Sequence, residues 1–419
     1  MSWDLNAGGG GSPELENGSG MLSRLSLFLT ALLALSLSVS LTLSWVALLA
    51  LMAVKVIQYG PRACWQSIQG APFLYPLLAF ISVCLLSGFW NGGPAEALAS
   101  FTTTRALLIY AVGYLVFTCD KDRKTALTVF LTVAMAAGFL GVIQQLFNVC
   151  RFTRYPYLQA TGFLSSPMSF AGVMQLTSFL ALGLLLRGST LLPRRLLLLV
   201  TIGNFLGLIF AAERSAWLGM IAGILILTWR MSRRSFLIGI VSLVVATALS
   251  YSFVPVVKTR LNSLTDWRRD VSITARLQVW QVAWTSFSRS PWLGVGPRKF
   301  PRIENEQAIV KGQSSDLNHG HSNYMHILAT TGVLGVLAYL VLVLYPFARL
   351  YTAAAPQSQA SSPEYDSGLY LGLLAALTSL MVAGIFEYNF GAGSVRLAQW
   401  FCLALYPRPS QAPICEKDA

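Results

Sequence analysis

The chain has 419 residues, of which 55% are hydrophobic and 11% charged; its mean hydropathy is +0.59 and its formal net charge is +13. Soluble domains carry about 25% charged residues, so this composition excludes an ordinary water-soluble globular protein and indicates a membrane protein. It also argues against nucleic acid as the partner for the basic excess, because the Lys and Arg residues are dispersed through loops between apolar runs and no nucleic-acid module interrupts them.

In chain order, residues 1–20 contain GGGGS and ENGSG and read as a disordered tag or linker. A spanning helix needs about 20 mainly apolar residues. Runs of that kind lie near 22–39, 41–58, 72–90, 104–119, 125–147, 167–186, 195–211, 215–230, 235–254, 326–348, 367–386 and 393–407. The expectation is an all-α multi-pass membrane protein with about twelve transmembrane helices. Nine fall in residues 21–254 and three in 326–407, with a polar helical domain at 255–325 and a tail at 408–419. Lys55, Arg62, Lys121, Arg123, Lys124, Arg194, Arg195, Arg233 and Arg234 share one set of alternate loops; Arg105, Arg151, Arg154, Arg214 and Arg396 share the other. The richer set marks the cytoplasmic side, which puts both termini in the cytoplasm and the 255–325 domain outside.

Between Pro255 and Gly320 ten basic residues face five acidic ones, a surface suited to anionic partners, of which membrane lipid headgroups are the simplest. Within it Ile273, Leu277, Trp280, Trp284 and Phe287 recur at helical spacing. They predict an amphipathic helix at the membrane surface, with its aromatic stripe as anchor and core. SPWLGVGP (290–297) then ends any helix. Of six cysteines only Cys150 falls on the outer side, so no intrachain disulfide is expected there.

All three histidines, His319, His321 and His326, fall within eight positions where the polar domain meets an apolar run. Imidazole titrates near neutral pH, so the group reads either as a proton-handling site or as polar residues capping a helix. His319 and His321 with Asp316 match no zinc spacing, and neither a metal nor another cofactor is expected. Arg214 follows Glu213 in the short turn AAERSAW; an arginine at that depth must snorkel, pair with Glu213 or serve a ligand. Arg276 lies on the surface helix, where it can meet headgroups or a phosphate, which guanidinium holds bidentately. Arg151 and Arg154 in RFTRYP, and Glu387 in the last outer loop, are either surface charge or contacts to substrate.

HSNYMHILATTGVLG (321–335), with His321, Gly332 and Gly335, resembles the histidine and paired-glycine signature of the O-antigen ligase and O-antigen polymerase superfamily. SITARLQVW and SPWLGVGPRKF resemble the arginine helix and glycine turn upstream of that signature, and AERSAWLGM resembles the arginine turn between two middle spans. The resemblance covers Glu213 to Tyr345; elsewhere the helices match only in number and hydrophobicity. It implies a C-type glycosyltransferase fold in a Gram-negative inner membrane with its active site facing the periplasm. The implied reaction is inverting and metal-independent, with a glycan donor on undecaprenyl pyrophosphate and, for a ligase, a lipid A-core acceptor. It assigns the motif histidine to His321 and the two family arginines to Arg214 and Arg276. His319, Arg151, Arg154 and Glu387 remain candidates for contact with pyrophosphate or glycan. It also implies that Gly332 and Gly335 serve helix packing rather than substrate. An O-antigen polymerase, a protein O-oligosaccharyltransferase and, from another class, a flippase for lipid-linked glycans stay open as alternatives. No internal repeat favours the transporter.

Overall fold

The computed structural model describes residues 13–117, 120–149, 159–265, 268, 270–303, 319–355 and 364–406. Among these the regular structure is helical: α1 (Pro13–Ser36), α2 (Leu41–Tyr59), α3 (Pro61–Gln69), α4 (Leu74–Thr104), α5 (Ile109–Val116), α6 (Asp120–Leu146), α7 (Pro167–Leu186), α8 (Arg194–Phe210), α9 (Arg214–Met231), α10 (Arg233–Phe253), α11 (Pro255–Asn262), α12 (Val271–Arg289), α13 (Asn323–Ala353), α14 (Glu364–Phe386) and α15 (Gly393–Ala404). Apolar sequence in lipid leaves a backbone no water to bond to, so each run satisfies its amides internally as a helix. Polar caps set the starts: Ser40, Ser166, Ser232, Asp270 and Ser322 each accept a backbone N–H of the helix they precede.

Within the described residues, each of the twelve apolar runs falls largely on helix. Seven described helical stretches are long and apolar enough to cross a bilayer. Others are shorter, with 17 residues in α8 and 12 in α15. The stretch Leu74–Val116 is interrupted at Gly92 and Gly93, where Gly93 takes φ +68° just before Pro94. That break sets the 72–90 run apart from the second half of α4.

The bundle is layered by burial. In α7 and α14, 78% and 72% of the spanning window is enclosed by protein, against 6% in α10. α7 and α14 approach closely through small residues: a Cβ on Gly183 would collide with the Gly368 carbonyl oxygen. α10 instead turns Leu237, Ile238, Val241 and Val244 outward, an apolar surface matched to acyl chains.

The glycine turn after α12 meets the bundle on α13. Gly332 takes φ +66° and breaks that helix, so Val333 and Leu334 can no longer donate to Ala329 and Thr330. The glycine turn replaces both bonds. Val295 and Gly296 donate to the Ala329 and Thr330 carbonyls (2.9 and 3.0 Å), while Val333 and Leu334 donate to the Pro291 and Trp292 carbonyls (2.8 and 3.3 Å). Ser87 Oγ on α4 closes the junction onto the Leu293 and Thr330 carbonyls. A Cβ at 332 would collide with the Trp292 carbonyl, so this glycine meets both a left-handed φ and a close approach of backbone.

α12 forms over the residues the apolar spacing predicts, but the aromatic stripe is not its core. Val279, Val282 and Ala283 are buried with Val295, Phe300 and Ala329, while Leu277 and Trp284 are 46% and 57% exposed. Of the stripe, Leu277 and Trp284 are left exposed because the short residues fit against the glycine turn, while Trp280 turns its indole N–H to the Gly320 carbonyl.

Candidate active site

The site forms where the start of α12, the loop before α13 and the loop after α14 meet. α14 ends at Phe386, and the next residue, Glu387, is buried yet ionisable. Arg276, on the second turn of α12, donates from Nη2 to Glu387 Oε2 (3.1 Å) and from Nε to the Phe386 carbonyl (2.9 Å). Its Nη1 bonds Ser272. His321 Nδ1 and His319 Nε2 stand 3.4 and 3.7 Å from Glu387 Oε1, which also accepts the Tyr388 N–H (3.1 Å). The two imidazole rings are 4.3 Å apart.

Three backbone constraints hold the histidines. Gly320, between them, donates its N–H to His326 Nδ1 (3.2 Å) and accepts Trp280 Nε1 on its carbonyl (3.1 Å). His326 is itself stacked on Tyr388 at 3.9 Å and set edge-on to Phe300 at 5.5 Å. His321 takes φ +41°, a left-handed conformation that a non-glycine residue adopts only when its surroundings impose it. Beyond it, Asn323 ties the start of α13 to the 389–390 turn through Asn389 Oδ1 (2.8 Å) and the Phe390 N–H (3.0 Å).

The electrostatics arise from this packing. Burial opposes ionisation of Glu387, but the adjacent His321 ring and the Arg276 guanidinium outweigh it and hold the carboxyl below its usual range. Burial pushes His319 down to about 4, with His321 and Arg276 adding to the effect and Glu387 opposing it. The His319 ring is therefore neutral at neutral pH.

Arg214 does not pair with Glu213. It makes a bidentate pair with Asp270 (2.7 and 3.1 Å) and donates to Ser263 Oγ (3.0 Å). Asp270 is the cap of α12 and accepts the N–H groups of Ser272 and Ile273. Burial raises its pKa, but the hydrogen bonds of Arg214 and Ser263 more than compensate and bring it to about 2. Glu213 turns the other way. It accepts Gln159 Nε2 (3.1 Å) and lines a narrow cavity with Gln175, Ser215, Asn389 and Glu387. Enclosure and the Glu387 charge raise its pKa.

Arg276, His319, His321 and Glu387 are thus brought into one cluster, and Arg214 stands beside it on the capping residue of the same helix. Positions 270 and 276 are about 9 Å apart along the axis at 1.5 Å per residue. Arg151 and Arg154 lie outside the described residues. Sequence reasoning missed Asp270; its only local signal is an acidic residue directly before an apolar helical run. It also missed that Glu387 forms a metal-capable trio with His319 and His321, their ligand atoms all within 4.8 Å of one another; Asp316 lies outside the described residues.

None of the curated proteins compared matches the chain. A family model described as O-antigen ligase matches residues 196–340, a stretch holding Arg214, Asp270, Arg276 and all three histidines. The matched stretch, which supplies every residue of the cluster except Glu387, is thus similar to the O-antigen ligase family.

Proposed function

We propose that this protein is an O-antigen ligase of C-type glycosyltransferase architecture, lodged in a Gram-negative inner membrane with its site toward the periplasm. It moves a glycan from undecaprenyl pyrophosphate to a sugar hydroxyl of lipid A-core, with inversion and without a metal cofactor. The observation that carries this reading is the convergence of Arg276, His319 and His321, all inside the matched segment, on the buried Glu387 outside it.

In this mechanism His321 presents Nδ1 to Glu387 and keeps Nε2 for the acceptor hydroxyl. It takes that proton as the oxygen attacks the anomeric carbon, and Glu387 stabilises the imidazolium that forms. The pyrophosphate leaves with growing negative charge, which Arg276 and Arg214 offset. A guanidinium about 4 Å from a phosphate oxygen contributes roughly 4 kcal/mol of gross attraction at an effective dielectric near 20, before desolvation. Each arginine already holds a carboxylate, Asp270 or Glu387, so phosphate oxygens exchange with a like-charged group and no bare cation has to be buried in the resting state.

The test is transfer by purified protein given carrier-linked glycan and lipid A-core, with chelator present. Glycan appearing on the lipid is expected. Lengthening of the carrier-linked chain would make the protein a polymerase, and movement across vesicles with neither product would make it a transporter.

A further inference from the structure

The ligase mechanism uses Glu387, His321 and Arg276, and leaves unexplained why His319 faces the same carboxylate oxygen. His319 Nε2 and His321 Nδ1 both point at Glu387 Oε1, at 3.7 and 3.4 Å. His321 Nδ1 is buried and has no aligned hydrogen bond. In a tetrahedral zinc site, bonds of about 2.0–2.2 Å to nitrogen and oxygen place the ligand atoms about 3.3–3.6 Å apart. Two of the three separations therefore stand near coordinating distance before any ion arrives, and all three ligand atoms lie within 4.8 Å of one another.

We propose that His319, His321 and Glu387 form a binding site for a divalent transition metal of the zinc class, and that this metal inhibits transfer. Two imidazoles and one carboxylate are the donor set that selects Zn2+ and its first-row neighbours over Mg2+ or Ca2+, which prefer all-oxygen sites. The loop is organised in advance: Gly320 is held at both its N–H and its carbonyl, so the histidines on either side lose little freedom on binding. Arg276 opposes a dication electrostatically. It sits, however, on Oε2, and Oε1, which also accepts the Tyr388 N–H, keeps a second lone pair for the metal; a hydrogen bond to the far oxygen is a common way of orienting a carboxylate ligand.

Inhibition is a consequence of the ring chemistry and rests on the ligase reading. A metal on Nδ1 of a neutral imidazole leaves the ring's one proton on Nε2. The lone pair that takes the acceptor proton is then absent. Coordination also withdraws Oε1 of Glu387 from the imidazolium it would stabilise.

Three histidines in the whole chain make the site readable by spectroscopy. Purified full-length protein in detergent would be titrated with Co2+, followed by its d–d absorbance. One equivalent of tetrahedral Co2+, displaced by Zn2+ and free of thiolate charge-transfer bands, is expected, with affinity falling at least about tenfold in His319→Gln and in Glu387→Gln. Absence of saturable binding, thiolate bands from the cysteines, or affinity unchanged in both variants would overturn the site. In the transfer assay Zn2+ should inhibit, chelator should restore the rate, and Mg2+ should do neither; transfer unaffected by Zn2+ at saturating occupancy would overturn the inhibition. If no transfer is seen under any condition, the ligase reading fails while the Co2+ titration still decides the metal site.

Discussion

The two ion pairs that strap α12 to the bundle are mirror images with different surroundings. At one, α12 supplies the carboxylate, Asp270, and the bundle supplies Arg214; at the other, α12 supplies Arg276 and the bundle supplies Glu387. The first is closed: both oxygens of Asp270 are taken by Arg214, and one of them also caps the helix. The second is open, since Glu387 is shared among a guanidinium, two imidazoles and a backbone N–H. An arginine near a membrane boundary is thus defined less by its own charge than by what else its carboxylate must serve. A shared, buried carboxylate beside histidine is a place where protons and anions can be exchanged; a saturated one is first of all a fastening.

The largest effect should come from breaking the open pair. His321→Ala is expected to slow transfer by about 10²–10⁴, the usual range for loss of a general base, with carrier binding and protein level retained. Initial rates with carrier-linked glycan, alongside binding of the carrier pyrophosphate alone, check this. An unchanged rate would remove His321 from the chemistry.

A change at the glycine junction tests whether both straps depend on one platform. Gly332→Ala forces a left-handed alanine, at a cost of about 1–2 kcal/mol, and drives its methyl into the Trp292 carbonyl. Loss of folded protein on detergent extraction is expected, with stability reduced by a few kcal/mol. A variant of normal stability would show that α13 can straighten.

The closed pair can be sharpened with Arg214→Ala and Asp270→Asn. Asparagine caps a helix as well as aspartate does but frees the guanidinium. If Arg214 also serves the pyrophosphate, Asp270→Asn should keep transfer and tighten carrier binding, whereas Arg214→Ala loses transfer. If the pair is only a fastening, both variants should lose about 1–3 kcal/mol of stability, with no difference in binding. The pH dependence has a fixed sign. A carboxyl lowered from 3.8 to about 2 in the folded protein contributes stability that is complete above pH 4 and lost as pH falls toward 2. Thermal melts in detergent at decreasing pH should show that loss in the parent and less of it in Asp270→Asn.

The smallest effect should be Trp280→Phe, which removes one hydrogen bond to the Gly320 carbonyl, worth about 1 kcal/mol. A severalfold slower transfer with unchanged carrier affinity is expected. No change in rate would mean that His326 alone fixes the histidine loop.

Much of the helical layout was legible because it depends on short-range properties. A run of apolar residues in lipid has no partner for its amides except itself, so composition and length alone mark the helices, and Ser or Asp before them marks several starts. Where the expectation for α12 failed, it failed on the buried face: helical spacing marks two stripes, and only the narrow gap at the glycine turn selects Val279, Val282 and Ala283 over Leu277 and Trp284. Arg214, Arg276 and His321 were legible as candidates through motif resemblance, yet their partners were not. Asp270 lies 56 residues from Arg214, and Glu387 lies 111 residues from Arg276.

By itself the sequence determined a helical chain built for lipid, the position of its polar segment and the short list of residues able to handle protons and anions. The tertiary structure alone decided which carboxylate each guanidinium meets and that two imidazoles share one of them. Charge pairing acts over a few ångströms between groups whose distance along the chain carries no such information, so only the meeting of helix ends could settle it.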